Sequence, residues 1–135
     1  MANDLCRQAV EKGRLDLLSN GCQYRDFICL SDVESVIAGI VSNELVKLSN
    51  GIYNLGAGMP MQVITMARRI AACYEGLFNE TIPVNLPANA VPTEETPYVF
   101  CIGKLQEAGF KVHNEVDIEI RELLKFCYEN FSRNA

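Results

Sequence analysis

The stretch that decides the fold class spans residues 51–60 and reads Gly51-Ile52-Tyr53-Asn54-Leu55-Gly56-Ala57-Gly58-Met59-Pro60. Its first half, Ile52–Leu55, predicts a short apolar strand, and the glycines that follow permit a tight turn. Pro60 suits the first turn of a helix, and apolar side chains recur behind it at helical spacing to about Tyr74. The stretch therefore predicts a strand, a turn and a helix, the unit from which α/β proteins are built.

The flanking sequence continues this alternation of strands and helices. Apolar spacing and turn residues predict further helices at 3–12, Ser31 to about Lys47, Ile102–Ala108 and Asp117–Phe131, and strands at Leu15–Leu18, Arg25–Leu30 and Ile82–Leu86. Residues 87–99 hold three prolines and predict a long loop without regular structure, a frequent site of binding. We predict a single domain over residues 1–135, of mixed α/β class, with few short strands and about five helices.

Residues 31–34, Ser31-Asp32-Val33-Glu34, have the pattern of a capping box. In this motif the serine oxygen accepts the amide three residues on, and the glutamate reaches back to the amide of the serine. The pattern predicts that the second helix begins here and that Asp32 lies in its first turn, where a carboxylate interacts favourably with the helix dipole.

The composition is that of a folded globular protein. The chain has 135 residues, of which 49% are hydrophobic and 21% charged, with a formal net charge of -5 and a pI near 4.9. The acidic balance argues against nucleic acid as a partner, because phosphate binding needs a basic face. The sequence has neither an apolar run long enough to cross a bilayer nor a signal peptide, so we expect no membrane contact and a cytoplasmic location.

Six cysteines are scattered through apolar patterns, without a C-x-x-C pair. This distribution favours buried, reduced thiols over a disulfide framework. A zinc site is disfavoured because the cysteines are not clustered and the sequence has a single histidine, His113. His113 is predicted to be exposed in a loop.

The glycine turn at Gly56–Gly58 has two interpretations. A strand before it and a helix after it are the context of a dinucleotide-binding turn, in which the helix N-terminus faces a pyrophosphate. However, Met61 stands where the third glycine of that fingerprint belongs, and no acidic residue is well placed about 20 positions further on. The favoured alternative is a structural turn between strand and helix.

Three motifs follow one another along the chain. The first is Gly21-Cys22-Gln23-Tyr24-Arg25-Asp26-Phe27-Ile28, followed by Ser31-Asp32-Val33. The second is Ile52-Tyr53-Asn54-Leu55-Gly56-Ala57-Gly58, and the third is Lys104-Leu105 with Gly109-Phe110. In this order they resemble the carboxy-terminal part of the extended short-chain dehydrogenase/reductase family, the NAD-dependent nucleotide-sugar epimerases and dehydratases. The similarity extends over nearly the whole chain, from about residue 5 to residue 131.

The resemblance implies the substrate-binding portion of such an enzyme. The family's glycine-rich nucleotide-binding half and its catalytic tyrosine and lysine have no counterpart here, so we expect no catalytic residue and no cofactor site in this chain. NAD or NADP would bind the rest of the parent protein. The expected ligand is a nucleotide-diphosphate sugar or a related phosphorylated sugar, held by fewer cations than usual because residues 70–120 contain no arginine.

The resemblance also assigns candidate substrate-binding residues. Arg25 matches an arginine that contacts the phosphate or the sugar-nucleotide linkage, and a guanidinium can bind phosphate oxygens in pairs. Its alternative role is an ion pair with a neighbouring acid. The other candidates match pocket or loop positions, and for each of them packing or solvent exposure is the alternative: Leu18, Phe27, Val63, Glu94 and Tyr98.

Two other functions remain open at this stage. A thin sheet of short strands leaves uncovered edges, so the chain could be a non-catalytic module that self-associates or binds a protein partner, and we expect a homo-oligomer. The remaining alternative is a small nucleotide-binding protein that uses the turn at Gly56–Pro60.

Overall fold

The computed structural model describes residues 1–42, 48, 51–91 and 95–132. The elements in chain order are α1 (Ala2–Lys12), β1 (Leu15–Asp16), β2 (Tyr24–Asp26), α2 (Leu30–Val41), β3 (Pro60–Gln62), α3 (Val63–Phe78), β4 (Val84–Asn85), α4 (Gly103–Glu107) and α5 (Val116–Phe131). The mixed α/β class predicted from the sequence is confirmed. The predicted loop over 87–99 contains neither helix nor strand in its described residues, 87–91 and 95–99.

The main core lies between α1, α3 and α5. Each of these helices has an apolar stripe at helical spacing, and the three stripes face one another because burying them removes apolar surface from water. The central buried side chains are Leu5, Cys6 and Ala9 of α1, Met66, Ala67 and Ile70 of α3, and Ile120, Leu124 and Cys127 of α5. Arg69 Nε donates to Asp117 Oδ1 at 2.8 Å, which adds an ion pair between α3 and α5.

Two small sheets among the described residues attach to this core. β1 pairs in parallel with β4, with Leu15 opposite Val84. β2 pairs antiparallel with β3, with Arg25 opposite Met61. Each sheet has two short strands, so the helices rather than the sheets supply most of the buried surface.

The predicted helix start at Pro60 is wrong. Pro60–Gln62 form β3 against β2, and α3 begins only at Val63. The amide of Val63 donates to the carbonyl of Gln23, and that of Ile64 to the carbonyl of Gly21. Pairing with a strand distant in sequence overrides the helix pattern, because it satisfies backbone groups that a helix end leaves open.

The predicted capping box is also wrong. α2 begins at Leu30 with Cys29 as its N-cap, and no side chain of its own caps it. The carboxylate of Glu119 on α5 accepts the amides of Leu30 and Ser31 at 3.2 and 2.9 Å instead. The residue that caps α2 therefore lies 88 positions after Ser31 in the sequence, and no local motif could reveal it.

Asp32 lies in the first turn of α2, as predicted, and its side chain is fully buried. Its Oδ1 accepts the amide of His113 at 2.9 Å and lies 3.1 Å from the His113 ring Nδ1, while Oδ2 accepts the amide of Asn114 at 3.4 Å. A buried carboxylate is tolerated when it is hydrogen-bonded in this way. His113 is exposed, as predicted, but it is tied to α2 by this carboxylate.

A second, smaller core lies between α2 and α4. Val36, Leu105 and Phe110 are its buried members, and Tyr53 and Val112 pack against it. Lys104 lies over the Tyr53 ring at 4.2 Å and donates to the carbonyl of Ile52 at 3.0 Å. Residues 51–53 are thereby fixed to α4 without belonging to a sheet.

Two predicted strands are wrong in whole or in part. Ile52–Leu55 form no strand, and the predicted strand Arg25–Leu30 is reduced to Tyr24–Asp26 of β2. A strand needs a hydrogen-bonded neighbour, and no described segment lies alongside residues 52–55 or 27–29 in a ladder. Ile52 is consequently 89% exposed.

The remaining boundaries differ from the prediction by a few residues. α3 continues past the predicted end near Tyr74 to Phe78 and stops where Asn79 adopts a left-handed conformation with φ 54°. The helix predicted to reach Lys47 is described only to Val41, because residues 43–47 lie outside the described part. Among the residues described, no helix is both long and apolar enough to span a bilayer.

The cysteines divide into buried and accessible thiols, none of them in a disulfide among the described residues. Cys6, Cys29, Cys73 and Cys127 are buried, Cys22 is partly buried, and Cys101 is exposed. Burial, assisted by the nearby Cys127 and Cys73, raises the pKa of Cys6 to about 12. Because the thiolate is the reactive form, Cys6 is inert in the folded chain.

We predict that Glu119→Gln lowers the free energy of unfolding at pH 7 by about 1 kcal/mol, because a charge-assisted cap becomes a neutral one. Burial alone would raise the pKa of Glu119, but its hydrogen bonds with Ser31 and Leu30 outweigh burial and hold the pKa below its ordinary value. A carboxylate with a lowered pKa stabilises the fold at neutral pH and loses that contribution as the pH falls through the folded-state pKa.

The difference in stability between wild type and Glu119→Gln should therefore be largest at neutral pH and should disappear once the pH has fallen below the lowered folded-state pKa of Glu119. Urea denaturation at several pH values, followed by circular dichroism, measures the free energy of unfolding of both proteins. Glu122→Gln, on the exposed side of the same helix, is the matched control and should change stability by less than about 0.5 kcal/mol. Equal destabilisation by the two variants would contradict the cap.

We predict that a thiol reagent at pH 8 modifies Cys101 first and reaches the four buried cysteines only after unfolding, because their thiols are shielded and Cys6 stays protonated. Absorbance with an aromatic disulfide reagent, with and without urea, follows the reaction. Cys101→Ser should abolish the fastest phase and leave only the slower reaction of the partly buried Cys22 in the native state. Modification of all six cysteines at one rate in the native state would refute the assignment.

Candidate functional site

Arg25 lies on β2 with its side chain exposed. Its Nη1 donates to the carbonyl of Tyr24 at 2.8 Å, and no carboxylate in the described ranges forms an ion pair with it. The alternative role of an ion pair with a neighbouring acid is therefore not seen in this part of the chain. An exposed guanidinium in this setting can accept a phosphate as its counter-ion.

An apolar edge lies beyond β1 and β4. These strands are parallel, so their carboxyl ends meet at one edge, where Leu18 and Leu86 follow them. Leu18 is wholly exposed and Leu86 is 46% exposed. Asn20 Nδ2 donates to the carbonyl of Val91 at 2.5 Å, which ties the proline-rich loop to the same edge. The carboxyl ends of parallel strands are where open α/β sheets bind their ligands, and this edge presents two exposed leucines there.

Phe27 and Val63 are placed by packing. Val63 is 4% exposed and belongs to the main core, and Phe27 is partly buried against that core. Packing, the alternative role for these two residues, accounts for where they lie. They are not brought together with Leu18 on one open surface.

The proline-rich loop carries the last two candidates. Tyr98 is 46% exposed, so its ring is accessible. It lies two residues before Phe100, whose ring packs beside Gly56. Glu94 lies outside the described residues.

The glycine turn faces protein rather than an open anion site. A Cβ on Gly56 would overlap both Asp26 Oδ2 and a carbon of the Phe100 ring, and one on Gly58 would meet Ile102 at 3.0 Å. The helix after the turn does not begin until Val63, and its first amides already have backbone acceptors. The turn is therefore the structural one that the sequence favoured, and its glycines allow residues 100–102 to approach closely.

A cavity that the sequence analysis did not predict lies elsewhere in the molecule. It has a volume of about 630 Å³ and opens between the start of α1, residues 27–31 and α5. Of the candidate residues that the structure describes, only Phe27 lines it, together with Met66, Leu123 and Phe126. Its sequence signal was the pair Ile118 and Phe126, large apolar residues that lie outside the buried stripe of α5.

The described residues contain no group of three or more His, Cys, Asp or Glu side chains that could hold a metal ion. Arg69 holds the pKa of Asp117 below its ordinary value through their hydrogen bond, which makes this carboxylate part of a structural ion pair.

Comparison with known proteins supports the resemblance seen in the motifs. No protein-family model matches the chain. Among curated proteins, dTDP-L-rhamnose 4-epimerase of Burkholderia thailandensis is 35% identical over 68 residues, which make up 50% of this chain and 18% of that protein.

Solved structures match over almost the whole chain. The structure of RMD from Pseudomonas aeruginosa complexed with NADPH matches with a TM-score of 0.67 at 17% identity, covering 95% of this chain and 41% of that one. UDP-glucose 4-epimerase of Thermus thermophilus, in complex with NAD, matches with a TM-score of 0.65 at 20% identity, covering 93% and 39%. Identities this low establish the fold alone.

The resemblance to the extended short-chain dehydrogenase/reductase family is thus confirmed at the level of fold. This chain has the fold of the carboxy-terminal portion of NAD(P)-dependent epimerases and reductases and spans less than half of their length. The nicotinamide cofactor of those proteins belongs to the amino-terminal portion that this chain does not span.

Proposed function

We propose that residues 1–135 form one unit, the nucleotide-sugar-binding portion of an NAD(P)-dependent sugar epimerase, dehydratase or reductase, without catalytic residues of its own. The observation that carries this proposal is Arg25, an exposed guanidinium on β2 that pairs with no carboxylate in the described ranges. The fold shared with a UDP-glucose 4-epimerase and the local similarity to a dTDP-L-rhamnose 4-epimerase both suggest a sugar nucleotide as ligand.

In this proposal Arg25 binds the diphosphate. Two parallel N–H donors of a guanidinium match two phosphate oxygens, which gives both attraction and orientation. The chain carries a net charge of -5, so the protein as a whole repels an anion and a local cation has to compensate.

The nucleoside would lie on the apolar edge beyond β1 and β4. Leu18 and Leu86 offer exposed apolar surface there, and Asn20 keeps the proline-rich loop next to it. Tyr98, farther along that loop, would cover the ligand. The hydride transfer itself belongs to the NAD(P)-binding portion, and this chain would hold the sugar in place for it.

A second function is favoured by a different observation, the apolar surface of α2. Ile37, Ile40 and Val41 are exposed on one side of the helix, with Leu30 at its start. The segment 52–55, which forms no strand, exposes Ile52 as well. Surfaces of this kind are covered by another protein, so we propose that the isolated chain self-associates through the α2 face as a homo-oligomer.

We predict that Arg25→Ala weakens the affinity for a dTDP or UDP sugar by about tenfold to a hundredfold, because one charge-assisted contact to phosphate is lost. Isothermal titration of the chain at low ionic strength measures the affinity, and thermal unfolding shows that the variant is folded. Arg121→Ala, which removes an exposed cation from α5, is the control and should bind like wild type. Unchanged binding by Arg25→Ala would rule out the assigned contact.

We predict that the chain at tens of micromolar has a mass well above 15.0 kDa in light scattering and that Ile40→Glu shifts it to the monomer, because a charge at a dry interface is costly. Ser35→Glu places the same charge on an exposed position of the same helix outside the apolar stripe and should leave the mass unchanged. A monomeric wild-type chain would refute self-association.

A further inference from the structure

We infer that Asp26 is a positioning residue of the proposed nucleotide-sugar site, which makes this inference dependent on the proposed function. Its carboxylate fixes the glycine turn Gly56–Gly58, and the ring of Phe100 packs against this turn. The position of Phe100 in turn sets where Tyr98 lies relative to β2, the strand that carries Arg25. Asp26 acts through these neighbours and does not itself touch the ligand.

The first link joins β2 to the glycine turn. Asp26 Oδ2 accepts the amide of Ala57 at 2.7 Å, a charge-assisted bond between residues 31 positions apart. Side chains alternate along a strand, so Asp26 points to the opposite side from Arg25. The same strand thus offers a cation on one side and holds the turn on the other.

The second link joins the turn to the proline-rich loop. Any side chain at Gly56 would overlap Asp26 Oδ2 and the Phe100 ring, which both lie against the position of a Cβ. Asn54 Nδ2 donates to the carbonyl of Cys101 at 3.0 Å and fastens the same two segments. Residues 54–58 therefore hold Phe100 in two ways: Gly56 contacts its ring, and Asn54 binds the backbone of the residue after it. Tyr98 lies two residues before this anchored position.

The second oxygen of Asp26 shows that this arrangement is not optimised for stability alone. Asp26 Oδ1 is buried and has no hydrogen-bond partner in the described part of the chain. A buried acceptor without a donor is destabilising and calls for another reason to retain it. In this inference the reason is positional: Asp26 keeps the loop that carries Tyr98 at a fixed distance from Arg25.

The experiment compares Asp26→Ala, Asp26→Asn and Gly56→Ala with wild type in two measurements. Titration with dTDP-glucose gives the affinity, and hydrogen exchange read by mass spectrometry gives the protection of residues 98–102. We expect Asp26→Ala and Gly56→Ala to weaken binding by about tenfold and to deprotect 98–102, while α1, α3 and α5 stay protected. Asp26→Asn keeps an acceptor for the Ala57 amide and should retain affinity within about threefold.

Gly76→Ala is the matched control for Gly56→Ala, because a Cβ on Gly76 meets no atom within 4 Å. It should bind like wild type. Unchanged affinity in Asp26→Ala and Gly56→Ala, or deprotection spread evenly over the whole chain, would overturn the positioning role while leaving the proposed function intact. Absence of dTDP-glucose and UDP-glucose binding by wild type would overturn both.

Discussion

The structure depends most on the buried carboxylate of Asp32. It accepts the amides of His113 and Asn114, and so joins the start of α2 to the segment that leads into α5. Without these bonds a full negative charge would lie in the protein interior without compensation, which folded proteins avoid. Glu119 reinforces the same junction from α5 by capping α2. Together the two carboxylates hold the smaller core around Val36 against the main three-helix core.

This junction gives the molecule an unequal distribution of burial and exposure. The α1, α3 and α5 side is closed by a dry core, whereas the α2 side presents isoleucines to solvent and the segment 52–55 joins no sheet among the described residues. The chain spans less than half of the structures that share its fold.

The proposed site is assembled from residues far apart in sequence. β2 supplies the cation, the ends of β1 and β4 supply an apolar edge, and the glycine turn anchors the loop that carries Tyr98. None of these residues lines the 630 Å³ cavity beside α5. That cavity is lined by apolar side chains such as Leu123 and Phe126 and by the carboxylates of Glu34, Glu119 and Glu122, a lining that does not suit a phosphorylated ligand.

Local pattern was sufficient for the helices, because each of α1, α3 and α5 has an apolar stripe that predicts both its period and its buried face. It was also sufficient for the mixed class and for the family resemblance, which rests on short motifs in order. It failed where a partner distant in sequence decides the outcome. Pro60–Gln62 have the pattern of a helix start yet pair with β2, and Ile52–Leu55 have the pattern of a strand yet join no ladder in the described chain.

The sequence by itself therefore determined which segments are helical, which residues are apolar enough to be buried, and that an arginine precedes Asp26. Only the tertiary structure decided that Asp32 is buried, that Glu119 caps α2, and that the glycines make room for Phe100 and Ile102. The physical reason is the distance in sequence over which each interaction acts. Helical hydrogen bonds and apolar periodicity act within a few residues, whereas a buried charge, a shared cap and a close backbone approach each need a partner that only the folded chain brings near.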